Sequence, residues 1–360
     1  MARGKGEGTI HKINNGSYQA RMTIGYDENG KQKRQAKYFK TMKEAKDWIT
    51  EVKASRDKGN YIEPSKITLS EWIDIWLEEY KKRTVKPTTY SKLYRSLDKH
   101  IKPTIGGIKI KDLRAEMVQR VMNDLSDRGL SIGTIRIVRD ALYGALQQAV
   151  ENELISKNVS AKVHLPNGKQ KKVRVLTQEE QKKFTAVAKE SLTGRAFILA
   201  LYTGLRIGEL LALTWSDINF DEGTLSIDKT LSAYAQPNEP NSGKSKYSYK
   251  RRVGTPKTKS SIRIIPIVPW LLEILREEKE NSILSENNLV FSDVNGGHIK
   301  YDAARNRFRA ILKKANISEI TELTLHSLRH SFATLGLEKG IDLKVMQELL
   351  GHVGFSITGD

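Results

Sequence analysis

The chain has 360 residues, and its 61 lysines and arginines against 42 aspartates and glutamates give a formal net charge of +19. An excess of this size repels itself unless an anionic partner neutralises it, so nucleic acid is favoured as the partner and a membrane surface comes second. The absence of cysteine excludes disulfides, a thiolate nucleophile and Cys-ligated zinc. No apolar run approaches the roughly 18 residues that span a bilayer, and the first residues lack the apolar segment of a signal peptide. We therefore expect a soluble, cytoplasmic protein with no membrane partner.

The first predicted unit, residues 1–60, is a small basic sheet followed by a helix. Short β-type runs alternate with turn signals over residues 8–39, which predicts a three-stranded antiparallel meander, and Thr41 with Glu44 forms a capping box for the helix. The unit holds 14 Lys and Arg against 7 Asp and Glu. It is either a solvated sheet face or an arm that lays its sheet in a DNA groove. The candidate DNA contacts are Lys31, Lys33 and Arg34.

The second predicted unit, residues 68–158, is a helical bundle. Four helical patterns follow one another closely, and basic side chains recur through them. Such a bundle suits the tracking of a phosphate backbone, with a charge-laced bundle without a ligand as the alternative. The candidate contacts here are Lys86, Lys92 and Arg95.

Residues 159–175 form a predicted basic linker, and residues 176–360 a third, larger domain. The linker contains Pro, Gly and a dense basic cluster with Lys171 and Lys172, which lets two domains close around an anionic cylinder or serves as a plain tether. The third domain begins with a capping box at Thr177 and is predicted to be mainly α with a small antiparallel sheet. The fold class is therefore multidomain and mainly α, with small antiparallel β-sheets.

Four motifs in the third domain have a chemical character. In YTGLRIGELLALTW, Arg206 opens an apolar helix, where a charge is costly unless it meets a carboxylate or a phosphate. Glu209 offers an internal partner, and the helix N-terminus offers a phosphate site. Both interpretations stay open for this motif alone.

The second motif is the stretch from Pro240 to Leu272, with eight basic residues and no acidic one. A run this one-sided is typical of a solvated loop. TPKTKSSIRIIPI nevertheless leads into an apolar strand, so a hairpin could carry a lysine into a cleft. Spacing alone does not choose between Lys257 and Lys259.

The third and fourth motifs are HSLRH and LLGH. His326, Arg329 and His330 lie at i, i+3 and i+4, so a helix projects them from one face. A zinc site is disfavoured because Ser327 stands where a metalloprotease has Glu, and the arginine would repel the ion. A polar helix face is the alternative to an anion-binding cluster. His352 follows the predicted helix end at Gly351.

These motifs, in this order, resemble the tyrosine recombinases, above all the integrases of phages and conjugative transposons. The resemblance implies an arm-type DNA-binding domain at 1–60, a SAM-like core-binding domain at 68–158 and an α+β catalytic domain at 176–360. It also implies cleavage without metal or cofactor, through a 3′-phosphotyrosyl link that a 5′-hydroxyl reseals.

The resemblance assigns a role to each motif. Arg206 and Arg329 match the two phosphate-binding arginines, and Lys257, with Lys259 as the fallback, matches the lysine that protonates the leaving 5′ oxygen. His326 matches the residue that assists proton transfer from the nucleophile, and His352 matches a phosphate ligand. We interpret His330 as a packing residue.

The expected nucleophile is a tyrosine nine or ten residues after the Gly-His pair, at about 361 or 362. The sequence ends at Asp360, and its last tyrosine, Tyr301, is out of register with the motif. We therefore expect a trimmed or truncated chain that is deficient in cleavage.

Two alternatives belong to different classes of protein. One is a non-catalytic architectural DNA-binding protein on the same scaffold, and the other is a type IB topoisomerase, which the arm-like first unit disfavours. For an integrase, the resemblance implies a homotetramer on double-stranded DNA with core and arm-type sites, aided by excisionase or DNA-bending proteins. It also implies association with a bacterial nucleoid.

Overall fold

The computed structural model describes residues 8–14, 16–26, 31–57, 66–166, 174–238, 246–256, 259–281 and 287–351. The chain divides into two compact units, Met1–Gly168 and Lys169–Asp360, and each contains a hydrophobic core. The finer division of the chain into four segments stays a prediction.

The first unit begins with the predicted meander. Its strands pair antiparallel in the order β1-β2-β3 and precede one helix: β1 Thr9–Lys12, β2 Tyr18–Tyr26, β3 Gln32–Phe39 and α1 Met42–Asp57. The capping box at Thr41 is confirmed, since the Glu44 amide donates to Thr41 Oγ1 at 3.2 Å and Glu44 Oε2 accepts from the Thr41 amide at 3.3 Å. Ala20 and Met22 of β2 and Ala45 and Val52 of α1 are buried.

The helical bundle of the first unit follows. Its helices are α2 Leu69–Ile75, continued by a π-helical turn Trp76–Lys81, α3 Pro87–His100, α4 Lys102–Ile105, α5 Ala115–Asp127 and α6 Ile132–Glu151. Trp72 and Trp76 are buried in its core, and the Trp72 indole donates to the Ala145 carbonyl at 2.7 Å. The first part of the predicted linker packs on this bundle, because Val163 is buried in the core and Gln119 bonds the backbone of His164 at both polar groups.

The second unit is mainly helical around a small sheet. Its helices are α7 Gln178–Ala188, α8 Leu192–Thr203, α9 Ile207–Leu210, α10 Pro269–Glu280, α11 Tyr301–Lys314, α12 Leu325–Glu338 and α13 Leu343–Leu350. The strands β4 Ile218–Asn219, β5 Thr224–Ile227 and β8 Arg263–Pro266 form an antiparallel sheet in the order β4-β5-β8. Phe308 contacts Phe184 and Phe197 edge to face in the core, with ring centroids 5.7 and 5.8 Å apart.

A two-stranded ribbon stands between β5 and β8 in the chain. Its strands are β6 Thr230–Pro237 and β7 Tyr247–Gly254, paired antiparallel from Thr230 opposite Gly254 to Pro237 opposite Tyr247. β7 is exposed along nearly all its length and carries Lys250, Arg251 and Arg252. Part of the stretch that the sequence favours as a solvated loop is therefore a regular strand. Over the described residues, none of the helices is long and apolar enough to cross a membrane.

Candidate active site

A glycine turn sets the direction of the first arginine. α8 ends at Gly204, whose φ of +66° is left-handed, and a Cβ there would lie 2.6 Å from the Phe332 ring and 2.8 Å from a Leu350 methyl group. Only glycine combines this backbone conformation with such close packing. The turn leaves Arg206 as the N-cap residue that precedes α9, with an extended ψ of 145°.

Arg206 and Glu209 form the ion pair that the sequence suggested. Arg206 Nη1 donates to Glu209 Oε1 at 2.8 Å, and the Arg206 amide donates to Glu209 Oε2 at 3.0 Å. The carboxylate side chain is 2% exposed and the guanidinium side chain 35%. Arg206 is therefore paired with Glu209 within the protein and still accessible from solvent.

Arg329 lies deep in the second unit, on α12. Its Nη1 donates to the Gly204 carbonyl at 2.7 Å and its Nη2 to the Leu350 carbonyl at 2.5 Å. Burial, followed by the charge of Arg206, lowers the pKa of Arg329 to about 9. The guanidinium still carries its positive charge at neutral pH, because this pKa lies well above 7.

A third arginine, Arg263 in β8, belongs to the same cluster and was missed in the sequence. Its Nη2 donates to Glu209 Oε2 at 2.9 Å, its Nη1 to Glu209 Oε1 at 3.3 Å and its Nε to the Leu349 carbonyl at 2.7 Å. The signal was available in SIRIIPI, where Ser261, Ile265 and Ile267 are buried on the face that strand alternation also gives to Arg263. A charge at an inward position predicts a buried partner.

The three guanidiniums meet three consecutive carbonyls at the C-terminal end of α13. Arg263 binds the carbonyl of Leu349, Arg329 that of Leu350, and Arg206 Nη2 that of Gly351 at 3.3 Å. The last carbonyls of a helix have no partner within it and carry its negative dipole end, so they accept cations well. Gly351 ends α13 with a left-handed φ of +63°. Residue 352 follows directly.

His326 and His330 lie one turn apart on α12. Their rings meet edge to face with centroids 4.6 Å apart. His326 has an exposed face, while desolvation of its inner side and then the charges of His330, Arg329 and Arg206 lower its pKa from 6.5 to about 4. Burial and Arg329 also lower the pKa of His330. His326 is therefore neutral at neutral pH.

The structure places Arg206, Arg329 and His326 close together. Other predicted site residues lie outside the part of the chain that it describes. Lys257, His352, Lys171 and Lys172 lie outside the described residues, and the side chains of Lys33 and Lys259 are also not described, although Lys259 begins a 3₁₀ turn, Lys259–Ser261. Among the described residues, no group of three or more His, Asp or Glu is placed to hold a metal ion.

The predicted DNA contacts of the first unit that the structure describes lie on its surface. Lys31 and Arg34 of the sheet and Lys86, Lys92 and Arg95 of the bundle are all exposed. In α3, Lys92, Arg95 and Lys99 follow one another at i, i+3 and i+7. This spacing aligns three positive charges along one helix face.

This fold is that of the tyrosine recombinases. A solved structure of the Tn1549 transposon integrase in complex with a circular intermediate DNA superposes with a TM-score of 0.65 at 22% identity, over 81% of this chain and 94% of that one. A lambda integrase tetramer bound to a Holliday junction superposes with a TM-score of 0.60 at 20% identity, over 99% of this chain and 95% of that one.

Sequence comparison identifies the family. Residues 174–360 match the phage integrase family, residues 68–126 the SAM-like N-terminal domain of phage integrases, and residues 9–55 an arm DNA-binding domain. The chain is 31% identical to a XerC-like tyrosine recombinase of Caldanaerobacter subterraneus subsp. tengcongensis, over 95% of this chain and 91% of that protein. The protein belongs to the phage integrase family.

The turn at Gly204 gives a first prediction. Gly204→Ala is expected to lower the free energy of unfolding by about 3 kcal/mol, because it adds overpacking to left-handed strain. Gly340→Ala is the matched control, since Gly340 has a φ of +83° with nothing within 4 Å of the added Cβ, and it is expected to cost only about 1 kcal/mol. Chemical denaturation measures both values, and equal losses would contradict the close packing at Gly204.

The histidine pair gives a second prediction. An NMR titration of the His326 ring is expected to give a pKa near 4, and His330→Gln is expected to raise it, because a positive neighbour is removed. The value stays below 6.5 in that variant, since desolvation is the larger cause. Substitution of the exposed His164 in the other unit is the control. A His326 that titrates at its ordinary value would refute this description.

Proposed function

We propose that this protein carries out site-specific recombination of a mobile genetic element by DNA strand transfer through a 3′-phosphotyrosyl intermediate. The observation that carries the proposal is the meeting of Arg206 and Arg329 at the end of α13, with a neutral His326 one turn before Arg329. The family membership and the names of its structural neighbours, a transposon integrase and a phage integrase, support the same function.

The two arginines bind the scissile phosphate in this proposal. Arg206 keeps 35% of its side chain open to solvent while Glu209 fixes its orientation, so a phosphate oxygen can approach it. Arg329 supplies a second fixed positive charge from within the protein. Preorganised cations stabilise the additional charge of a five-coordinate phosphorus, which is the main requirement of such a reaction.

Proton transfer accompanies the attack. The tyrosine oxygen attacks phosphorus, the bond from phosphorus to the 5′ oxygen breaks, and the tyrosine proton passes to His326. Lys257, or Lys259 in its place, gives a proton to the leaving 5′ oxygen, and His352 holds a phosphate oxygen. A 5′-hydroxyl from another strand then reverses these steps and reseals the backbone.

The nucleophile in this proposal is a tyrosine at about position 361 or 362. Because Gly351 is held by Arg206, the path toward that tyrosine begins from a fixed point beside the phosphate-binding arginines.

In this proposal the first unit binds double-stranded DNA. The sheet with Lys31, Lys33 and Arg34 binds an arm-type site, and the helical bundle with Lys86, Lys92 and Arg95 binds the core site, with Lys171 and Lys172 between the domains. We propose a homotetramer on paired sites, as in the lambda integrase structure on a Holliday junction, with accessory DNA-bending or excisionase proteins. Such a protein resides with the nucleoid of its host.

Covalent capture tests the function. Duplexes selected for binding from a randomised library are nicked next to the site and incubated with a chain that continues through the expected tyrosine. A 3′-linked adduct that withstands denaturation is expected, and Arg206→Lys or Arg329→Lys is expected to slow its formation by about 10² to 10³-fold, as for the loss of one preorganised donor. A chain with phenylalanine in place of the tyrosine is the control.

Two outcomes would replace the proposal. Binding without any adduct would favour the architectural protein, and relaxation of supercoils without strand exchange would favour a topoisomerase.

The basic face of α3 gives a separate binding prediction. Lys92→Gln with Arg95→Gln is expected to make the slope of log K against log salt shallower by about 1.8, because each neutralised phosphate contributes about 0.9. Lys109→Gln with Lys111→Gln removes two exposed charges from another part of the bundle as the matched control. Equal salt slopes for the two double variants would show that the α3 face does not contact the backbone.

A further inference from the structure

We propose that Arg263 is a positioning residue that ties together the three segments on which strand transfer depends. These segments are the start of α9 with Arg206, strand β8 directly after the lysine segment, and the end of α13 directly before residue 352. This inference rests on the proposed function and adds to it a residue that the resemblance does not assign.

The contacts of Arg263 leave little capacity for a ligand. Its side chain is 5% exposed. In addition to Glu209 and Leu349, it reaches the Ser261 carbonyl, to which Nη1 donates at 3.0 Å. A guanidinium has five N–H groups, and those of Arg263 make four hydrogen bonds to protein acceptors. Arg206 is different, because a third of its side chain faces solvent. Arg263 therefore acts on the reaction through other residues.

Glu209 is the group through which Arg263 reaches Arg206. Each carboxylate oxygen accepts one bond from Arg263 and one from Arg206, through Nη1 on Oε1 and through the backbone amide on Oε2. Burial raises the pKa of Glu209, but the hydrogen bonds and charge of Arg263 and the hydrogen bonds of Arg206 outweigh it, so the net pKa is lowered. The carboxylate stays ionised at neutral pH, and a displacement of Arg263 displaces the partner that orients Arg206.

Arg263 also holds the end of α13 independently of Glu209. Its Nε bonds the Leu349 carbonyl, and its Cδ would lie 3.2 Å from a Cβ at Gly351. The side chain thus lies against the last turn of the helix that leads to His352 and the expected tyrosine. Lysine cannot reproduce these contacts, because its single ammonium lacks the planar fork that spans a carboxylate and a carbonyl together.

A purely structural role makes a different prediction from a positioning role. If Arg263 served only to neutralise Glu209, then Arg263→Met combined with Glu209→Gln would react as fast as Glu209→Gln alone. If Arg263 also sets the geometry at the end of α13, the double variant is slower than Glu209→Gln alone. A misplacement of about 1 Å far from the chemistry can cost about 100-fold in rate.

The experiment uses the full chain extended through the expected tyrosine. Single-turnover formation of the covalent adduct, the Kd for the same duplex and amide hydrogen exchange over residues 347–351 are measured for Arg263→Lys, Arg263→Met, Glu209→Gln and the double variant. Arg195→Lys is the matched control, because Arg195 pairs with the buried Glu278 in the same unit and makes no contact with the cluster around Glu209 among its hydrogen bonds to described residues.

The expected result for Arg263→Lys is an adduct that forms about 100-fold more slowly at unchanged Kd, with faster exchange over residues 347–351. The double variant is expected to be slower than Glu209→Gln alone, and Arg195→Lys is expected to change neither the rate nor this exchange. An Arg263→Lys rate equal to that of the parent chain, or equal rates for the double variant and Glu209→Gln alone, would overturn the inference.

The failure of the proposed function has a separate signature. If the parent chain forms no adduct, strand transfer is refuted. Hydrogen exchange alone then tests the contact between Arg263 and the end of α13. Unchanged exchange over residues 347–351 in Arg263→Lys would then refute the positioning of α13 as well. Faster exchange would support the positioning of α13 by Arg263 even though the chain carries out no strand transfer.

Discussion

The buried carboxylate of Glu209 is the constraint on which the second unit depends. An ionised carboxylate that is 2% exposed is stable only if it is fully paired, and here two arginines satisfy both of its oxygens. One of these arginines opens α9 and the other lies in β8, so the pairing joins a short helix to a sheet. A helix as short as α9 has little stability of its own, and the ion pairs fix its direction.

The end of α13 completes this arrangement from the opposite side. The carbonyls of Leu349, Leu350 and the capping Gly351 would be unpaired in an isolated helix, and each one accepts a bond from a different arginine. The cations neutralise the negative helix end, while the carbonyls hold cations that would otherwise repel one another. This mutual support explains how three positive side chains lie close together.

Much of the architecture could be predicted from sequence, because its signals are local. The capping boxes at Thr41 and Thr177, the break at Gly204 and the helical spacing of His326, Arg329 and His330 each depend on residues within one or two turns, and all are confirmed. The candidate site could be predicted in part from the order of its motifs. The roles of individual residues stay predictions, since Lys257 and His352 lie outside the described residues.

The features that were missed depend on partners distant in the chain. In the ribbon β6–β7, strand β7 carries Lys250, Arg251 and Arg252, so its charge obscured its pairing with β6. Arg263 was counted as one basic residue among eight, although strand alternation places it inward with Ile265. The packing of Val163 on the bundle was also missed, because it depends on the tertiary structure of the bundle and not on the residues near Val163 in the sequence.

The contacts at the end of α13 have a consequence for the protein while it is being made. Arg206 and the Gly351 carbonyl are separated by 145 residues, and Arg263 and Leu349 by 86. At about 5 to 20 residues per second, the ribosome needs roughly 7 to 29 s to pass from one member of the longer pair to the other. A nascent chain therefore displays its basic arm and helical bundle well before its arginines are assembled. The growing polypeptide can meet DNA before the cluster around Glu209 has formed.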